Sequence, residues 1–438
     1  MIIYFHIFGI HIKPDEKNTY RIKASRRTLL NRLKQTLSFF SIPNYGILMI
    51  SILLLGICIS FTYPFLSLFG VDEVGMSPSY LGLFMTVTAA SSVLISTVLG
   101  RLSDKYWGRK WVIIVSVSAA IIGYILFTQV RNYYTLLIIA FLCLGTASSA
   151  FPQMFAYARE EMNRVRAKQA DMAINTLRIF FSLAWVIGPA IAAVLLASAG
   201  FKGLFLAAAV TYGIVLFFVL IFLKSSDRKM TAPTNEPPIQ LRKFLMKPRI
   251  AGALGSFILL SVASTMCMVN LPLYVTRTLQ GSQSDVGLLF SVAAAVEIPL
   301  LIGVGILAAK YRKSYLIRVG ALFAIAYYIL VGFTPIVWAI VPMQFLSAVT
   351  VSIVMGLGIS YFQDLLPHEP GTATTLYSNT SVIGNMLGGI IAGSVAEWFG
   401  FRAVFIVCAV MAAAAFLLML TNREPSTQEI GESTPASM

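Results

Sequence analysis

Long apolar stretches separated by short basic ones dominate this chain. Tyr45 to Val71, Val74 to Gly100, Asn132 to Ala158 and Ile250 to Thr276 each run 27 residues without Asp, Glu, Lys or Arg, where a bilayer-crossing helix needs about 20. The pattern predicts six spans near 45–69, 79–101, 111–130, 133–157, 173–199 and 203–223. Six more are predicted near 250–275, 285–309, 316–334, 337–362, 373–396 and 402–421. The charge-free run Val319 to Gln363 is divided because Pro335 and Pro342 bracket a turn. The fold class that follows is all-α integral membrane, with twelve transmembrane helices.

Composition excludes the soluble alternative, since 58% of residues are hydrophobic and only 12% charged. The net charge of +15 would suggest a nucleic-acid partner in a soluble protein, but here the basic residues sit between spans and no nucleic acid is expected. With the N-terminus inside, 28 Lys and Arg fall on the cytoplasmic side and four outside, namely Arg131, Lys202, Arg277 and Arg402; Arg178 lies within a span. The positive-inside rule therefore predicts cytoplasmic termini. Ile2 to Ile10 is apolar but too short to span and lacks a preceding basic residue, so it does not read as a signal peptide. Residues 1–44 are expected to form a basic cytoplasmic tail beside the anionic lipid leaflet. Cys58, Cys143, Cys267 and Cys408 all lie in apolar runs and read as small hydrophobes, so no metal or cofactor is expected. With only His6, His11 and His368 available, no catalytic cluster of a membrane enzyme is visible, nor is a Gly-rich nucleotide-binding signature.

The two sets of six spans repeat one another. An offset of 205 residues places Gly82-Leu83 on Gly287-Leu288, Gly100 on Gly305, Leu102 on Leu307 and Lys105-Tyr106 on Lys310-Tyr311. An offset of 200 places Gly188 on Gly388 and Gly200-Phe201-Lys202 on Gly400-Phe401-Arg402. The expected organisation is a six-helix bundle over 45–223, a basic Pro-containing linker over 224–249, a second bundle over 250–421 and a cytoplasmic tail over 422–438. Parallel duplication of this kind is a transporter architecture.

Gly100-Arg101-Leu102-Ser103-Asp104-Lys105-Tyr106-Trp107-Gly108-Arg109-Lys110 joins the second and third spans. It resembles the loop signature of the major facilitator superfamily. Gly100 and Gly108 allow close approach of helix ends, Asp104 suits the positive start of a helix in the other half, and Arg109 suits an acid such as Glu160 or Glu161. By the family's pattern the other helix is the eleventh, starting near Pro370-Gly371. Together these four residues read as a conformational latch, against the simpler alternative that the basic residues only set topology. The second copy has Ala309 where Asp104 would stand.

Phe151-Pro152-Gln153-Met154-Phe155-Ala156-Tyr157-Ala158-Arg159-Glu160, Ser182-Leu183-Ala184-Trp185-Val186-Ile187-Gly188-Pro189 and Tyr361-Phe362-Gln363-Asp364-Leu365-Leu366-Pro367 closely resemble the bacterial sugar efflux transporter family, as does Gly371 to Ser381. The resemblance spans about residues 45–421. It implies export of sugars or glycosides by proton antiport and alternating access, in a multi-pass protein of the bacterial cell membrane whose partners are sugar, protons and the lipid bilayer. A monomer is expected. A proton-coupled multidrug exporter of the same fold is the nearest alternative, and a polytopic membrane enzyme a more distant one.

Helical spacing outlines a polar path. Asn175, Arg178, Ser182, Trp185 and Pro189 form one face of the fifth span, and Thr374, Ser378, Ser381 and Asn385 one face of the eleventh. The hydroxyls serve equally as packing glue between helices, but Trp185 adds an aromatic face of the kind on which a sugar stacks. Gln153, Asn270, Gln344 and Asn379 are further candidate amide contacts. Arg178 either joins the site or snorkels to the nearer interface. Glu297 stands twelve residues from Asp285 and thirteen from Lys310, too deep to reach either surface. Ionisation at mid-membrane costs at least about 2.5 to 3.5 kcal/mol, so Glu297 must face protein or a watery cavity, as a proton carrier or as a structural carboxyl.

Overall fold

The computed structural model describes residues 45–166, 170–224, 248–367 and 369–421, and these are almost entirely helical. The expected N-terminal tail, the C-terminal tail and most of the linker lie outside the described residues. Ten continuous helical stretches are long and apolar enough to cross a bilayer. Two of them are double. Pro78–Gln129 has 52 residues, about 78 Å at 1.5 Å per residue, and it turns back at Gly108, where φ is 71°. Ala170–Phe222 turns back at Gly200, where φ is 62°. Only glycine takes that left-handed conformation cheaply, so two glycines convert ten stretches into twelve crossings.

The helices are α1 (Tyr45–Glu73), α2 (Pro78–Leu102), α3 (Gly108–Gln129), α4 (Tyr133–Arg164), α5 (170–199) and α6 (201–222). The second six are α7 (Pro248–Thr278), α8 (Gln283–Ala308), α9 (Lys313–Phe333), α10 (Val337–Leu365), α11 (Pro370–Phe399) and α12 (Phe401–Thr421). Their starts follow local chemistry. Pro78 and Pro370 occupy first-turn positions where no N–H is needed. Asn132 accepts from the Thr135 N–H ahead of α4, and Ser282 with Asp285 forms a capping box ahead of α8. The turn expected between Pro335 and Pro342 is confined to residues 334–336; a 3-10 turn, Val337–Ala339, opens α10, and Pro342 falls in its first α-helical turn, where no N–H is needed. Several spans overrun the sequence-based limits, most clearly α4, which reaches Arg164 where 157 was expected. Its final turns are polar, and a helix that leaves the bilayer continues into water as long as its backbone bonds last.

Within the first half, α1 packs along α5 and α6, α3 along α6, and α2 against α4. Within the second, α7 packs along α11 and α12, and α9 along α10 and α12. Lipid offers no hydrophobic drive for helices to associate, so close approach at small residues supplies the attraction. Gly188 of α5 lies against Ser60 of α1, and Gly388 of α11 lies against Thr265 of α7. These contacts occupy equivalent places, since Gly188 maps onto Gly388 by the 200 offset and Ser60 onto Thr265 by the 205 offset. An aromatic cluster fills the first half, with the Phe69 ring 4.8 Å from Phe205 and 5.6 Å from both Phe127 and Phe201.

Candidate functional site

Two antiparallel seams join the halves, α2 with α11 and α5 with α8. Their ends differ in charge. One, the basic end, carries Arg101, Lys105, Arg109, Lys110, Lys310, Arg312 and Lys313; the opposite end carries Arg131, Lys202, Arg277 and Arg402.

At the opposite end both seams are tight. A Cβ on Gly82 would lie 2.6 Å from the Gly389 carbonyl oxygen, and one on Gly287 would lie 2.6 Å from the Pro189 carbonyl oxygen and 2.7 Å from the Ala193 Cβ. The Thr86 hydroxyl donates to the Met386 carbonyl at 2.9 Å, the Ser79 N–H donates to a Glu397 carboxylate oxygen at 3.1 Å, and Arg277 pairs with Asp72. Each contact crosses between halves. Toward the basic end the seams part. A Cβ on Gly305 or Gly371 would meet nothing within 4 Å, and one on Gly100 would meet only Gln153 of its own half. The Asp104–Arg109 pair (3.2 Å), the Arg109–Glu160 pair and the Lys313–Asp364 pair (2.6 Å) each stay within one half.

The polar stripes continue the tight seams into this open region. On α11, Gly393, Gly389, Asn385, Ser381, Ser378 and Thr374 follow one another at steps of four or three, so the face that meets α2 at one end becomes polar toward the other. On α5, Ala193, Pro189, Trp185, Ser182, Arg178 and Asn175 do the same. Asn175, Arg178, Ser378, Asn379 and Asn385 are exposed, and Trp185 is half-buried. On α8, Gly287, Phe290, Ala294, Glu297, Leu301 and Val304 lie along one face that leaves α5 at Gly287 and reaches Gly356 of α10 at Leu301. Gly287 sits between Pro189 and Ala193, so ten residues further along antiparallel helices Glu297 is level with Phe181 and Ser182, within the α5 stripe. Its carboxylate has no hydrogen bond or ion pair among the described residues, while its backbone carbonyl accepts from Ser352 of α10 at 3.3 Å.

The other amides lie elsewhere. Gln153 is buried to 6% exposure, and its side-chain oxygen accepts from Ser103 at 2.9 Å and Arg109 at 3.3 Å, which ties α4 to the α2–α3 turn. Asn270 donates to the Phe401 carbonyl at 2.9 Å and Gln344 to the Tyr327 hydroxyl at 3.3 Å; both are 2% exposed. Asn385, on the α11 stripe, accepts from the Thr265 hydroxyl of α7 at 2.9 Å. Ser291, one turn from Gly287, buries a hydroxyl with no partner among the described residues. Among those residues no three His, Cys, Asp or Glu come together as a metal site, and the four cysteines are free.

The sequence model of the Major Facilitator Superfamily matches residues 48–274 and 253–436. This chain belongs to that superfamily. Bacterial relatives that carry the name sugar efflux transporter, at 37% and 33% identity, place it within the superfamily in the bacterial sugar efflux transporter family, so it is a multi-pass protein of a bacterial membrane. A Deinococcus radiodurans protein is 37% identical over 86% of this chain and 98% of its own. Sugar efflux transporter A of Dickeya chrysanthemi is 33% identical over 85% of this chain and 93% of its own. The crystal structure of the nucleoside transporter NupG superposes with a TM-score of 0.74 at 14% identity, covering 87% of this chain and all of NupG, which places the two in one fold.

Proposed function

We propose that this transporter exports sugars or glycosides by proton antiport, using alternating access between its two six-helix halves. The observation that carries the reading is the seam geometry: both inter-half seams are tight at the opposite end and parted at the basic end, and their polar faces line the parted region. With the basic end cytoplasmic, as the positive-inside rule requires, the molecule stands open to the cytoplasm with its polar path ready for loading. The names of the sugar efflux relatives support sugar as the cargo.

Trp185 supplies the stacking face, and Asn175, Ser182, Asn379 and Arg178 the hydrogen bonds. Glu297, level with Ser182, carries the proton. Gln153, Asn270 and Gln344 hold helices in this conformation and reach cargo only if those contacts break. Asp104 is the latch of the alternate state. Taking Gly82 as level with residue 391, midway between Gly389 and Gly393, Asp104 is level with Glu369 at the start of α11. Closing the seam at the basic end therefore brings its carboxylate to the unpaired N–H groups of that helix. One proton moving down about 100 mV releases about 2.3 kcal/mol, and a tenfold gradient costs about 1.4 kcal/mol, so one proton per sugar sustains a gradient of roughly fifty-fold.

Uptake of labelled lactose, glucose and a thiogalactoside into inverted vesicles tests the assignment. Acid-inside vesicles should accumulate at least one of them, and a protonophore should abolish the accumulation. Transport of lipophilic cations with no sugar competing would replace this reading with the multidrug one.

A further inference from the structure

At the opposite end the α2–α11 pair carries an acid-to-helix-start contact. Helix α2 begins with Pro78, and Ser77 before it makes no side-chain cap. Proline has no N–H, so the first free amide is that of Ser79. It donates to Glu397, in the last turn of α11 and in the other half, at 3.1 Å. Helix α11 begins the same way. Pro370 opens it, Glu369 before it makes no side-chain cap, and the first free amide belongs to Gly371. Its level counterpart is Asp104, two residues past the end of α2, whose side chain is 56% exposed and paired with Arg109 of its own half. Each helix of the pair thus lacks a cap of its own and lies level with an acid at the end of the other. At the same end of the molecule, Arg277 at the end of α7 pairs with Asp72 at the end of α1, again across the halves.

We propose that Glu397, backed by the Asp72–Arg277 pair, is a counter-latch that holds the transporter closed at the opposite end and alternates with Asp104 on the same two helices. This rests on the alternating-access reading. A stiff antiparallel pair that rocks about its middle closes one end as it opens the other, so only one of the two helix starts is capped at a time. Both contacts are charge interactions at exposed helix ends, which makes each a modest bias on the equilibrium rather than a lock.

Spin labels on Tyr106→Cys and Tyr311→Cys, exposed residues at the basic ends of the two halves, report closure there once the four native cysteines are replaced. In the full chain reconstituted in lipid, Glu397→Gln should raise the closed-to-open ratio at the basic end about two- to fivefold. Asp104→Asn should lower it. Asp72→Arg should act like Glu397→Gln, and adding Arg277→Asp should restore the wild-type distribution. If the distances respond to pH while Glu397→Gln leaves them as in the wild type, the counter-latch is overturned and alternating access stands. If one distance persists at every pH and in every variant, both are overturned.

Discussion

At the scale of single residues, the chemistry reduces to which side chains the parted seams leave free. Trp185 stays half-buried on the α5 stripe, while Asn270 and Gln344 spend their amides on neighbouring helices. Replacing Trp185 with Ala removes the stacking face, and replacing it with Phe keeps part of it. The Ala variant should weaken sugar binding by about 0.5 to 1.5 kcal/mol, the scale of an aromatic contact, and the Phe variant by less. Equal losses in ligand titrations, with poor expression of both, would assign the ring to packing around Gly188-Pro189 instead. The stripes themselves were legible in the sequence, because helical spacing states which residues share a face. What opposes that face was not legible. Gln153 reads as a candidate sugar contact until its partners, Ser103 and Arg109, arrive from a turn some 50 residues earlier.

At the scale of helices, the spans were legible because a charge-free run longer than about 20 residues has few other uses. Gly188 and Gly388, paired by sequence offset, also make corresponding helix contacts. The depth of the seam glycines was not legible, since Gly82 looks like any other small residue until Gly389 and Gly393 stand against it. Gly82→Ala should force α2 and α11 apart at the opposite end. Overpacking of this kind costs typically 1 to 3 kcal/mol, so the variant should insert normally while single cysteines at the opposite end become more reactive. Unchanged labelling there would mean that the seam absorbs a methyl group. Asp104→Asn acts at the other end of α2. It should slow turnover while leaving sugar affinity in the present conformation intact, because it destabilises a state in which the basic end is closed. A loss of affinity without a loss of rate would move Asp104 into the site.

At the scale of the whole molecule, the halves meet tightly at one end and separate at the other, and the alternating access proposed above requires that this asymmetry invert. The proposed proton antiport adds a second requirement: the inversion must carry a proton one way and sugar the other. Glu297 stands where both demands meet, on an inter-half seam, level with the α5 stripe and with no partner for its carboxylate among the described residues. Glu297→Gln preserves shape and hydrogen bonding but removes the exchangeable charge. The decisive measurement compares two activities of this variant in the same vesicles, uphill sugar movement driven by a pH gradient and sugar exchange at equal pH. Uphill movement should vanish while exchange, which needs only rocking of the loaded carrier, persists. A Gln variant that still concentrates sugar against its gradient at the wild-type rate would contradict the assignment of the proton to Glu297.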